Sequence, residues 1–156
     1  GIFTGGCSTF NRAAGYGMKT AALPNGKLKG EPLLADSIAA TPGRDTHGPT
    51  AQIKSALKYN HIDACSGFVF QNKFEKKMFN SQKGKASFIA LAKAFFAGGG
   101  QQYTVTVVSP EDLTDAKEHP ENHRNLIVRV GGYSDYFTEI GEDLQNNVIE
   151  RTFAQI

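Results

Sequence analysis

Apolar positions recur along this chain at two different spacings, and the spacing changes from one segment to the next. In Lys85–Gly100, KASFIALAKAFFAGGG, residues Phe88, Leu91, Ala92, Phe95 and Phe96 fall at the i, i+3, i+4 interval of one helix face, and Gly98 is a natural stop. Gln102–Val108, QYTVTVV, is rich in β-branched residues and predicts a strand. Cys65–Phe74, CSGFVFQNKF, alternates well enough to predict another. Pro49–Tyr59, PTAQIKSALKY, places Ala51, Ile53, Ala56 and Leu57 on a modest helical face behind a proline suited to a first turn. Ser109–Pro120, SPEDLTDAKEHP, carries the fullest set of helix signals. Ser109 is an N-cap, Pro110 a first helical residue, Glu111 and Asp112 lie at the positive end, and Pro120 follows the stop. Glu142–Phe153, EDLQNNVIERTF, has Leu144, Val148 and Ile149 on one side and predicts a closing amphipathic helix.

The first third reads differently. It is glycine-rich and weakly periodic, with a turn at Pro24-Asn25-Gly26 and a loop at TPGRDTHGPT, residues 41–50. The order is therefore loops, helix, strand, helix, strand, helix, strand, helix, which is an α/β class. There is no internal repeat and no low-complexity linker.

Composition narrows the function classes. The chain has 156 residues, enough for one domain or a piece of something larger, and its apolar fraction of 40% allows a core. The formal charge is only +2, with lysines interspersed among carboxylates, so nucleic acid is not an expected partner. No apolar run approaches a membrane span. GIFTGGCSTFNRAAGYG has neither a charged leader nor a secretory apolar core, so no signal peptide is expected. Ile2, Phe3 and Phe10 have little polar cover, which suits burial against a preceding segment. Cys7 and Cys65 stand in no metal or redox pattern and read as free thiols of a reducing compartment.

Several candidate motifs do not carry chemistry. GGGQQ follows a helix and precedes a strand, the reverse of a phosphate cradle, and SQKGKAS lacks the spacing of a P-loop. His47, His61, His119 and His123 do not pair at metal-ligand spacing within a helix, and most of them read as solvated loop side chains. No metal site or bound cofactor is expected.

One stretch resists a purely structural reading. NLIVRVGGYSDYF, Asn125–Phe137, opens as a strand, ends in aromatics, and holds Gly131 and Gly132 between them. A β-bulge or tight turn would account for the pair. So would a carbon radical stored on the backbone. A glycine Cα can flatten, spreading an unpaired electron over the flanking amide nitrogen and carbonyl, whereas any side chain clashes with the planar form. The latter reading calls for a buried loop with bulky neighbours, a role open to Tyr133, Tyr136 and Phe137.

RVGGYSDYF resembles the radical-bearing R-V-x-G-Y motif of the glycyl radical enzymes, the group of pyruvate formate-lyase, the glycerol and diol dehydratases, choline trimethylamine-lyase, isethionate sulfite-lyase and the arylacetate decarboxylases. LPNGKLKGEPLLADSIAATPGRDTHGPTA resembles their N-G-(R/K)-x-x-G-E-P-L and G-x-D-x-x-G-P-T-A segments. GGGQQYTVTVVSPEDLTDAKEHPENHRNLIVRV resembles the approach to the radical loop, and QNNVIERTF the terminal helix. GEPLLADS and Ser134 lean toward the dehydratase, decarboxylase and lyase branch. The resemblance covers nearly the whole chain.

Carried over position by position, the resemblance makes Gly132 the radical site, framed by Arg129, Val130, Gly131 and Tyr133. It implies the C-terminal portion of a ten-stranded α/β barrel, with a late barrel segment at 1–80 and a glycine radical domain at 81–156. It implies a radical installed by an activating enzyme that uses S-adenosylmethionine and an iron–sulfur cluster. It also implies a catalytic cysteine in an upstream portion or large subunit, since neither GGCST at Cys7 nor DACSG at Cys65 matches the G-C-V-E-like context. The chain is then expected to be incomplete and inactive alone, to serve an anaerobic cytoplasmic enzyme acting on a small molecule, and to allow a homo-oligomer of that enzyme. The alternative is the autonomous glycyl radical cofactor, a spare part that restores oxygen-damaged pyruvate formate-lyase. Neither substrate nor reaction subtype is legible.

Overall fold

The structure is a computed structural model that describes residues 1, 3–7, 13–31, 37–41, 43–150 and 153–154. Ile2, Phe10 and residues 32–36 of the GEPLLADS segment, named above, lie outside the described residues.

Two strands pair in parallel at the centre. β1 (Val69–Glu75) runs beside β2 (Gln102–Val108), in register from Val69 opposite Gln102 to Glu75 opposite Val108. Parallel neighbours need a long crossover, and α3 (Gln82–Ala97) supplies it. β5 (Phe153–Ala154) adds to the other edge of β1, parallel, opposite Lys73 and Phe74. Farther back on β1's flank, Cys7 forms a parallel bridge with Phe68. A separate antiparallel ribbon joins β3 (Ile127–Arg129) to β4 (Ser134–Tyr136).

Local chemistry sets the boundaries. The strand predicted from Cys65 starts at Val69, because Cys65 and Ser66 turn and the Gly67 N–H closes on the Ala64 carbonyl at 2.8 Å. α3 begins three residues before Lys85, because the Ser81 hydroxyl accepts the Gly84 N–H at 2.9 Å and so satisfies one orphan donor. Gly98 ends it as expected. α2 (Gly48–Ala56) carries Pro49 in its first turn. α4 (Pro110–Glu118) follows Ser109, which occupies the N-cap position without a side-chain capping bond. α5 (Glu142–Glu150) stops short of the predicted Phe153, which belongs to β5. α1 (Ala13–Lys19), β4 and β5 were not predicted.

The buried apolar side chains form two clusters. One joins Ile53 and Ala56 of α2, Phe70 of β1, and Leu91 and Phe95 of α3. The other joins Val108 at the end of β2, Leu113 and Ala116 of α4, Val128, Val130 and Phe137 in and around the ribbon, Ile140, and Val148 of α5.

The solvated reading of the histidines fails at His61. It is 3% exposed, packed edge-on against Phe68 and Phe95, and its Nε2–H donates to the Ala56 carbonyl at 3.1 Å. Phe3 is fully exposed. No helix among the described residues is long and apolar enough to cross a membrane.

Candidate functional site

The β3–β4 ribbon brings the singled-out residues together at one tip. Its register pairs Ile127 with Tyr136, Val128 with Asp135, and Arg129 with Ser134. One step further, the Val130 N–H donates to the Tyr133 carbonyl at 3.1 Å. That bond leaves a two-residue turn made of Gly131 and Gly132.

Strand alternation divides the flanking side chains. Val128 and Val130 face inward and are completely or almost completely buried. Ile127, Arg129, Ser134 and Tyr136 share the outer face, where the Arg129 Nη1 donates to the Ser134 hydroxyl at 3.4 Å. The two glycines are not equivalent. Gly131 is buried and Gly132 is exposed. Neither belongs to the glycines with positive φ among the described residues, which are Gly26, Gly30, Gly43, Gly48, Gly67 and Gly99. A left-handed backbone is therefore not what demands glycine at the tip.

Within this chain Gly132 reaches solvent, and Tyr133 and Tyr136 are 42% and 40% exposed. Of the three aromatics only Phe137 is buried. Within the ribbon itself Val128 and Val130 take the inward face.

The base of the ribbon is fixed. The Phe137 N–H donates to the Leu126 carbonyl at 2.7 Å, and the Gln145 side-chain amide of α5 donates to the Phe137 carbonyl at 2.8 Å. The Leu126 N–H donates to the His123 carbonyl at 2.9 Å, and the His123 ring meets the Asp115 carboxylate at 2.6 Å.

No cluster of histidine, cysteine and carboxylate able to hold a metal exists among the described residues. Cys7 and Cys65 are free, half-buried and exposed respectively. Cys7 is engaged through its backbone, giving its N–H to the Gly67 carbonyl at 2.9 Å and accepting from Val69 N–H at 3.1 Å. Sequence reasoning missed Lys73, a cation buried in the central strand. β1 reads VFQNKFE, so Lys73 stands among other polar residues and no local signal set it apart.

Comparison with known proteins gives consistent relatives. Residues 34–138 match the glycine radical family model, a span that includes the whole ribbon. The chain is 34% identical over 137 residues to indoleacetate decarboxylase of Tractidigestivibacter scatoligenes, covering 88% of this chain and 16% of that protein. It is 35% identical over 137 residues to trans-4-hydroxy-L-proline dehydratase of Clostridioides difficile, covering 88% and 17%. In structure it is similar to the glycerol-bound form of the B12-independent glycerol dehydratase from Clostridium butyricum, with a TM-score of 0.93 and 32% identity, over 100% of this chain and 20% of that one. The chain thus spans about a fifth or less of the length of these relatives.

Proposed function

The chain belongs to the glycine radical family, on the dehydratase and decarboxylase side of the glycyl radical enzymes, and from that premise we propose that it is the radical-bearing C-terminal part of such an enzyme. Gly132 stores the radical. A 5′-deoxyadenosyl radical, generated by an activating enzyme from S-adenosylmethionine, takes a hydrogen atom from the Gly132 Cα and leaves as 5′-deoxyadenosine. The glycyl radical then takes a hydrogen atom from a cysteine S–H outside this chain. The resulting thiyl removes hydrogen from a small-molecule substrate and returns it at the end of the cycle. This chain's residues hold the carbon in place and do no proton chemistry. The setting is an anaerobic cytoplasm, since oxygen would add to the radical and cut the backbone at Gly132.

The observation that carries this reading is the tip of the β3–β4 ribbon, where Gly131 and Gly132 make the two-residue turn inside the span that matches the glycine radical family model. The decarboxylase and dehydratase relatives support this reading over the spare-part alternative. Neither Cys7 nor Cys65 stands in the context of the catalytic cysteine, which supports placing that group elsewhere.

The test is anaerobic activation followed by electron paramagnetic resonance. Wild type and Gly131→Ala give the glycyl doublet, and Gly132→Ala gives none, with circular dichroism confirming that each variant folds. After exposure to air, mass spectrometry finds an N-terminal fragment ending at or near Gly131. A doublet that survives in Gly132→Ala and vanishes in Gly131→Ala would show that the other glycine holds the radical. Its absence from the wild type with a competent activator would end the proposal.

A further inference from the structure

Lys73 lies in the middle strand of the sheet and is 4% exposed. Its ammonium reaches out of β1 to the end of α5, donating to the Val148 carbonyl at 2.8 Å and the Ile149 carbonyl at 3.1 Å. The last carbonyls of a helix have no intrahelical partner, and the negative end of the helix dipole favours a cation there. Lys73 is therefore a C-terminal cap supplied from a different element. The same strand residue is also backbone-paired with Phe153 of β5.

The opposite half of α5 holds other elements. Gln145 donates to the Phe137 carbonyl at the exit of the ribbon, and Lys117 of α4 bonds Asn146 at 2.7 Å and pairs with Glu142 at 3.2 Å. Val148, whose carbonyl Lys73 caps, is 1% exposed and packs in the cluster that contains Val128, Val130 and Phe137. One helix is thus fastened to the sheet at one end and to the glycine ribbon along its side.

We infer that Lys73 is a positioning residue for Gly132. By fixing the end of α5 on β1, it sets where the ribbon stands relative to the sheet. The inference rests on the reading that Gly132 carries the radical. Its functional content is that loss of the cap leaves the glycine present but unsteadily placed.

Amide hydrogen exchange on the whole chain tests this without any radical. Val130 and Phe137 amides report the two ends of the ribbon, and Leu57 and Gly98 amides report the ends of α2 and α3. In Lys73→Met, exchange at the α5 terminus, Val130 and Phe137 should quicken about tenfold or more, the loss expected of a charged hydrogen bond, while Leu57 and Gly98 keep their rates. Lys73→Arg, which keeps the cation, should restore protection. Gln145→Leu, which cuts the other attachment, should free Phe137 and Val130 while the α5 terminus stays protected, and it serves if Lys73→Met does not fold. Ribbon amides at wild-type rates in a folded Lys73→Met or Gln145→Leu would overturn the inference. So would equal quickening in both clusters. A wild type that shows the exchange pattern yet gives no doublet would remove the role of Gly132 and leave the fastening intact.

Discussion

The two apolar clusters are built from different material. The cluster between the sheet and its helices is aromatic. Phe70 stacks on Phe95 at 5.3 Å and on Tyr103 at 5.5 Å, and Phe88 stacks on Tyr103 at 6.3 Å. A string of polar side chains runs alongside, from the Tyr103 hydroxyl to Asn72, Gln52 and Asp45. The cluster under the ribbon is mostly short and aliphatic: Val108, Leu113, Ala116, Val128, Val130, Ile140 and Val148 around one ring, Phe137. Rings fill the broad gap between a helix and a sheet. Valines fill the shallow space beneath two short strands. The difference separates two jobs. The seven-residue pairing of β1 with β2 forms a scaffold. The three-residue pairing of β3 with β4 is marginal by itself and depends on what lies under it. Such a ribbon can carry its tip into solvent without exposing a core.

The comparison breaks most directly by removing one ring from each side. Phe95 and Phe137 are both fully buried, so Phe95→Ala and Phe137→Ala should each cost about 3–5 kcal/mol in urea denaturation. They should differ in place. Phe137→Ala should release the Val130 amide to exchange while Leu57 and Gly98 stay protected, and Phe95→Ala should do the reverse. If both variants release all three amides together, the clusters unfold as one unit and the distinction is only one of composition.

A finer cut adds a methyl group to the scaffold alone. A Cβ at Gly84 would lie 2.0 Å from the Met78 carbonyl oxygen, where the short turn Lys76–Asn80 crosses the first turn of α3. Backbone must move to admit it, so Gly84→Ala should cost about 1–3 kcal/mol despite the better helix propensity of alanine. Thermal denaturation measures the loss, and exchange at Gly98 but not Phe137 should register it. A variant as stable as wild type would mean that the turn yields freely and is not part of the scaffold.

Legibility in the sequence divided along another line, local pattern against long-range pairing. The amphipathic face of Phe88, Leu91 and Phe95, the β-branched run at 102–108 and the stop at Gly98 were readable because periodicity and glycine chemistry are local. The glycine pair was readable as unusual for the same reason. Long-range pairing was not readable. β4 is three residues of Ser-Asp-Tyr with no strand signal, and it exists because β3 lies opposite it. β5 is held by β1, 80 residues away in the register from Lys73 to Phe153. The burial of His61 and Lys73 depends on carbonyls at Ala56, Val148 and Ile149 that their own segments do not announce.

The smallest expected effect is also the most specific to the scaffold. Burial pushes the Tyr103 phenol above its ordinary value, and its hydroxyl donates to the Asn72 side-chain oxygen at 2.7 Å. For an acid whose folded value is raised, the unfolded chain loses its proton first. The contribution to stability is therefore fully present below the ordinary phenol value of about 10 and is lost as pH rises from there toward the folded value. Tyr103→Phe keeps the ring stacking, removes this titration and removes the hydrogen bond. At neutral pH it should cost about 0.5–1.5 kcal/mol, the usual net worth of such a bond with its acceptor left half-satisfied. The gap between wild type and Tyr103→Phe should then narrow as pH climbs above about 10, because only the wild type pays out this extra proton on unfolding. Other tyrosines and lysines titrate in both proteins, so the informative quantity is the difference between their two alkaline slopes in urea denaturation. Leu57 and Gly98 amides should report the alkaline loss before Phe137 does. Parallel slopes would mean that the phenol is not held neutral by the scaffold, and the aromatic cluster would then be no drier than the aliphatic one beneath the ribbon.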